Sequence, residues 1–425
     1  MKYLLYILSI LVLFSCSSKI EKGIAKAEDY NKFLSIDSIT TTSKYFELWN
    51  SKIKPDSSQL LSFGNVSGEY SRYFKKTGDI AYLKKAEQSL TKAVEIANIN
   101  KEVYRRALAR NYISQHRFQD ALLMAKEAEK IGGGKKDTQS LLFDIHMELG
   151  NYDLAEEYLS RIKNMSDFGY LIRVAKWNDY KGDLDTTIAF MEKAREKAVS
   201  SKNKELMLWS YTNLADYYGH AGRIEDSYNH YLKALDLDEN NAYAKKGIAW
   251  IAFSYDRNPE EALRILDSIT KNYSAPDYYL LKAEIADYTG DNLSRMENLD
   301  RYFSSVKNVA YGEMYNAYNI NLYLEETAQY QKALDLAKKE VANRPTPESF
   351  SLLAYSNLKM GNKKEAMKII DTAVIGKTFE PALLYHAAEI YKANGATEKV
   401  KEIKGELLGA IYELGPTMEK NIQNL

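Results

Sequence analysis

A small residue returns along this chain at nearly even intervals, each time just after a short polar turn. Ala86, Ala121, Ala155, Thr187, Ser227, Ala262, Ala333, Ala366 and Val400 hold the position, and Arg295 stands in where the pattern is weakest. The steps between neighbours are 35, 34, 32, 40, 35, 33, 38, 33 and 34 residues. The turn often opens on glycine, as at Gly150, Gly182, Gly222, Gly361 and Gly395, whereas His116, Arg257 and Ala328 open weaker copies. A unit this short cannot enclose a core, so it must stack on copies of itself, and the stack buries one continuous core. Each unit holds two stretches with a period of about 3.6 residues. In the fifth, Leu214, Ala215 and Tyr218 share one helix face, and Tyr231, Ala234 and Leu235 share another. Small residues let the paired helices approach, and large ones fill the gaps between units. That accounts for much of the 34 Tyr, with Tyr112, Tyr152, Tyr218, Tyr231, Tyr330 and Tyr391 at packing positions.

This period, turn and small-residue placement resemble the tetratricopeptide repeat family over most of the chain. The resemblance implies an all-α fold, an α-α superhelix built as a solenoid of about ten helix-turn-helix repeats. The repeats would span residues 60–414. Residues 16–59 would form a tether and an N-terminal helical cap, from two apolar stretches at Ile24 to Leu34 and Tyr45 to Ile53. Gly415-Pro416 would stop the last helix and leave a short polar tail at 415–425.

The first residues read as an export signal. Lys2 precedes an apolar run from Tyr3 to Phe14, broken only by Ser9. The run is too short to span a bilayer, which takes about 20 residues, and it fits the apolar region of a secretory signal. It ends in Leu13-Phe14-Ser15-Cys16, which resembles a bacterial lipobox, although Phe14 is bulkier than usual. The resemblance implies removal of residues 1–15 and acylation of Cys16 by palmitate-type chains. The protein is then expected in the cell envelope, lipid-anchored at the outer membrane and periplasmic or surface-facing. Cys16 is the single cysteine, so no intrachain disulfide can form. Asp37-Ser38-Ile39 resembles an O-glycosylation sequon of some Bacteroidetes.

Lys+Arg and Asp+Glu are equal at 58 each, and this zero net charge speaks against nucleic-acid binding. The five histidines form no His-Glu-x-x-His helix. Gly132-Gly133-Gly134-Lys135 lacks the leading glycine and the following Ser/Thr of a phosphate loop, and reads as a connection between units. Asp236 to Asn240 lacks the glycine and closing Glu of a calcium loop. The expectation is therefore no enzyme, no cofactor and no metal site.

The family's first helices line the inside of the superhelix, and their solvent-facing positions touch ligands. Placed in this register, Arg72, Lys75, Arg106 and Arg110 would make one end of a groove basic. Asp144, Asp216, Glu284 and Asp287 would make the middle acidic, and Tyr315, Tyr318, Tyr355 and Tyr385 would make the far end aromatic. Arg and aromatic residues are enriched at binding hot spots. The resemblance implies a non-enzymatic protein-binding scaffold, anchored by lipid and holding an envelope protein complex. Its partner would be an acidic or extended protein segment. The other reading is a nutrient-capture lipoprotein that takes glycan or peptide for an outer-membrane importer, but little non-repeat sequence remains to build a sugar pocket.

Overall fold

The structure, a computed structural model, describes residues 23–35 and 40–425; Cys16, the signal segment and Asp37-Ser38-Ile39 lie outside them. Among the described residues every regular element is helical. Two short helices, α1 (Ala27–Leu34) and α2 (Lys44–Asn50), precede ten hairpins. The first five are α3 (Leu60–Thr77) with α4 (Ile80–Ile96), α5 (Lys101–Ser114) with α6 (Phe118–Ile131), α7 (Lys135–Glu148) with α8 (Tyr152–Arg161), α9 (Phe168–Tyr180) with α10 (Leu184–Ser200), and α11 (Lys204–His220) with α12 (Ile224–Leu237). In the sixth, α13 (Ala242–Trp250) runs on as a π-helix (Ile251–Tyr255) before α14 (Pro259–Thr270). The rest are α15 (Asp277–Thr289) with α16 (Asn292–Val306), α17 (Asn316–Glu325) with α18 (Tyr330–Asn343), α19 (Pro347–Lys359) with α20 (Lys363–Ala373), and α21 (Pro381–Ala393) with α22 (Thr397–Gly409). Two short helices close the chain, α23 (Ile411–Leu414) and α24 (Met418–Gln423).

Every hairpin turn holds one residue in the left-handed region. Seven are glycines, Gly78, Gly150, Gly182, Gly222, Gly290, Gly361 and Gly395, and three are not: His116 (φ 58°), Arg257 (φ 55°) and Ala328 (φ 51°). The next residue's N–H then reaches back to a carbonyl of the preceding helix, as from Arg223 to Tyr218 (2.8 Å) and from Arg117 to Tyr112 (2.9 Å). This is the closure that satisfies a helix's last carbonyls. The weak copies therefore keep the turn geometry although they lack glycine.

The recurring small residue packs the second helix onto the first. From Ala86 to Ala366 it is fully buried wherever it is small, and Val400 is nearly so. Arg295 breaks the rule: it is only partly buried and pairs with Asp287 (3.2 Å) and Glu326. Buried tyrosines keep a polar tip satisfied by a nearby carboxylate, Tyr218 on Glu192 and Tyr391 on Asp371 (both 2.6 Å). A ring with a hydrogen-bonding tip suits a core only two helices thick.

The array winds tightly enough for successive turns of the superhelix to touch. Ser274 donates from its N–H (2.7 Å) and its hydroxyl (3.1 Å) to the Thr77 carbonyl. Gly150 packs against the Pro345 carbonyl, Gly182 against the Phe379 ring and Gly219 against the Tyr412 ring. Thr77, Gly150 and Gly182, at the ends of the first, third and fourth hairpin turns, each meet the connection that precedes the hairpin six places further on. A small rotation per repeat, summed over six, closes one turn. The concave face is thus a walled channel rather than an open groove.

Both ends depart from expectation. Only α2 caps the first hairpin, with Phe46 edge-on to Tyr70 and Tyr73. The segment 24–34 instead lies on α12 and α14. The Ile24 and Ala25 N–H groups donate to the Asp256 carboxylate (2.9 and 2.8 Å), the Tyr30 hydroxyl donates to Glu261 (2.6 Å), and Tyr30 and Phe33 are buried. The expected polar tail folds back as α24, with Ile422 fully buried beside the last hairpin. Met418 and Leu425 pack beside it, and Lys392 and Lys404 donate to the Asn424 and Gln423 carbonyls.

Candidate functional site

The predicted basic end does not assemble. Arg72 is exposed and pairs with Glu69 of its own helix, and Lys75 is exposed beside it. Arg106 turns inward and is 6% exposed. Its guanidinium donates to the Gly133 carbonyl (3.2 Å) and the Thr138 hydroxyl (3.1 Å). The three glycines of that connection all have positive φ, and a Cβ on Gly134 would collide with the guanidinium. The tight turn leaves a carbonyl in need of a donor, and Arg106 supplies it, so Arg106 is structural rather than a groove contact. Arg110 does face the channel, in a cavity of about 540 Å³ with Asp144 and Lys176. Arg173, not Arg110, hydrogen-bonds Asp144.

The middle of the channel gathers carboxylates. Asp216 accepts from the hydroxyls of Tyr231 and Tyr243. Burial raises its pKa against those hydrogen bonds. Asp179 and Glu380 are likewise raised by burial. Between these carboxylates stands His220, whose Nδ1 pairs with Glu413 of α23 (2.8 Å). Burial opposes its charge, but the Glu413 carboxylate prevails, with help from Glu380 and Asp216, and lifts His220 to about 9.

The aromatic end opens into a cavity of about 920 Å³ lined by α13, α15, α16, α17, α19, α21 and the C-terminal segment. Five predicted residues meet there, Glu284, Asp287, Tyr318, Tyr355 and Tyr385. Tyr318 is 45% exposed and Tyr385 half-buried, so both offer ring surface. Tyr355 is 2% exposed, stacks on His386 at 4.1 Å and donates to Glu325 (2.6 Å). Tyr315 is buried with Tyr302 and Tyr311 in the core. Those two rings serve packing, because a first helix also shows a face to its neighbouring repeat. Burial pushes the Glu284 carboxyl up to about 7, opposed by the Thr417 hydroxyl and reinforced by Asp287.

The residues that sequence reasoning missed are Trp250, Ser254, His220, Tyr412 and Glu413. The Trp250 indole (3.0 Å) and the Ser254 hydroxyl (2.7 Å) both donate to the Tyr412 carbonyl. One signal was present: Gly247 to Phe253 is a wholly apolar run in a first helix, and a helix apolar all round is covered on all sides. Among the described residues no three His, Cys, Asp or Glu side chains group as a metal site, and no helix is long and apolar enough to cross a membrane. The channel presents ring faces, carboxylates and a few fixed donors, which is the equipment of a binding surface.

Residues 210–241, which cover the second half of α11 and all of α12, match the tetratricopeptide repeat family. No curated protein matches the chain in sequence. Among solved structures, the yeast Tom70 is 13% identical, with a TM-score of 0.36, over 89% of this chain and 95% of its own. The APC/C hetero-tetramer Cut9-Hcn1 is also 13% identical, with a TM-score of 0.35, over 90% and 96%. The matched stretch resembles a tetratricopeptide repeat, and all ten hairpins share its left-handed turn, with its buried small residue in all but the seventh, where Arg295 stands.

Proposed function

We propose that this protein is a lipid-anchored scaffold that captures protein segments along its concave channel and so holds partners at a bacterial envelope membrane. The observation that carries the reading is the 920 Å³ cavity, where repeat after repeat turns ring and carboxylate side chains toward one space. Ring faces and charged rims give a protein segment its anchoring points. The anchor rests on the lipobox-like Leu13-Phe14-Ser15-Cys16, and several acyl chains give stable attachment. Arg106 and Tyr355 are set aside as partner contacts, being buried and bonded within the fold.

A photo-crosslinking amino acid at Tyr318, expressed in native membranes, tests the scaffold. The expected product is one or a few discrete protein adducts that vanish when Tyr385 is replaced by Ala. Adducts to glycan alone would favour nutrient capture instead. Metabolic labelling with an alkyne fatty acid tests the anchor: the label should be lost in Cys16→Ala, and undiminished labelling would refute it.

A further inference from the structure

After its last hairpin the chain re-enters its own channel. Tyr412 places its carbonyl on the Trp250 indole and Ser254 hydroxyl, and its ring lies over Gly219, where a Cβ would stand 3.0 Å from it. Glu413 pairs with His220, and Thr417 donates to Glu284 (3.0 Å). These groups come from the first helices of the fifth, sixth and seventh hairpins, the very face that binds partners in the reading above.

The segment is held as a ligand is held. Ile411, Tyr412, Glu413 and Leu414 are each only half-buried, and Gly415 and Pro416 after them are buried. Its contacts include directional polar ones through the Tyr412 carbonyl, the Glu413 carboxylate and the Thr417 hydroxyl, beside apolar packing of Tyr412 in the channel and of Ile411, Leu414 and Met418 on the last hairpin. Cavities lie on both sides of it, one of about 420 Å³ beside Tyr412 and the 920 Å³ one beside Leu414 and Thr417. Trp250, Ala382, Glu413 and Leu414 border both, so the segment is the partition between them. Gly405 and Gly409 of α22, where an added Cβ would meet nothing within 4 Å, lead into it, and glycine gives the backbone there more freedom than any other residue.

We propose that residues 411–418 are a resident ligand of the channel, and that the partner is a protein segment with an aromatic residue followed by a carboxylate, which takes over the same donors. This rests on the concave face being the protein-binding surface. The fixed groups set the chemistry. Trp250 and Ser254 donate and need a carbonyl. The face over Gly219 admits a flat ring and no bulk beneath it. His220 carries the cation that receives a carboxylate, with Asp179, Asp216 and Glu380 around it disfavouring any second anion nearby. Departure of the segment would join the two cavities into one groove.

The probe is a fluorescein-labelled octapeptide of the 411–418 sequence, Ile-Tyr-Glu-Leu-Gly-Pro-Thr-Met, read by fluorescence polarisation. The full-length chain with Tyr412→Ala and Glu413→Ala should bind it at least about tenfold more tightly than the unaltered chain, because self-occupancy no longer reduces the competent fraction. Adding His220→Ala to that variant, or replacing the peptide's Glu by Gln, should abolish the gain. Equal binding to both chains overturns the proposal. So does a marked loss of helicity or cooperative melting in the Tyr412→Ala, Glu413→Ala variant, which would make the segment a structural end cap. The scaffold reading fails separately, through absence of protein adducts at Tyr318.

Discussion

Contact between successive turns of the superhelix can be isolated with two alanines at equivalent turn positions. Gly150 (φ 67°) and Gly222 (φ 71°) both sit in the left-handed region between the helices of a hairpin. Alanine at either site pays the same backbone penalty, about 1–2 kcal/mol. At Gly222 the added Cβ meets nothing within 4 Å. At Gly150 it falls 2.6 Å from the Pro345 carbonyl oxygen, a main-chain atom that cannot swing aside. Relief requires the third and ninth hairpins to part, an overpacking cost of about 1–3 kcal/mol. Gly150→Ala should therefore destabilise by about 1–3 kcal/mol more than Gly222→Ala. Urea unfolding followed by circular dichroism at 222 nm measures the difference. Hydrogen exchange should show the excess concentrated at residues 343–350, on the opposite turn. Equal unfolding midpoints with unchanged exchange there would refute the closed winding.

Arg106→Glu should destabilise by about 2–4 kcal/mol through loss of charged hydrogen bonds and an unpaired buried carboxylate, and by more than Arg110→Glu, whose side chain faces the channel rather than a turn carbonyl; matched melts of the two variants decide. Ala328→Gly should stabilise by up to about 1 kcal/mol, because it removes left-handed strain at an exposed turn, and a lower urea midpoint would contradict this. Glu284 has its pKa raised to about 7 from an ordinary 4.5, so its neutral form is favoured by the fold, and its stability contribution is full below pH 4.5 and lost as pH rises through 7. Glu284→Gln keeps the acceptor for Thr417 without the charge. The variant should therefore match the wild type near pH 4 and melt higher at pH 8; a pH-independent difference would show that Glu284 does not titrate there.

Much of this molecule is local, and the local part is legible in one dimension. The turn needs a left-handed residue, the hairpin needs a small residue where its helices cross, and the stack needs large apolar ones between units. Each demand acts over fewer than ten residues, so Gly222, Ser227 and Tyr231 announce their places, and even His116 and Ala328 keep the turn without glycine. The candidate groove was only half legible. The family register named Asp216, Glu284, Tyr318 and Tyr385, which line the two cavities beside the C-terminal segment. It could not see that Gly133 would demand a donor and draw Arg106 inward, or that Tyr355 would stack on His386. Tertiary structure alone decided the pitch. A small rotation at each repeat interface, invisible in any single unit, accumulates over six hairpins until Gly150 meets Pro345 and Gly219 meets Tyr412. That sum brings the two ends of the chain onto the same helix region, Ile24 and Ala25 onto Asp256 and Tyr412 onto Trp250 and Ser254. Those partners are more than 150 residues apart, beyond the reach of any repeat pattern, because their meeting depends on the angle between units and not on the content of one.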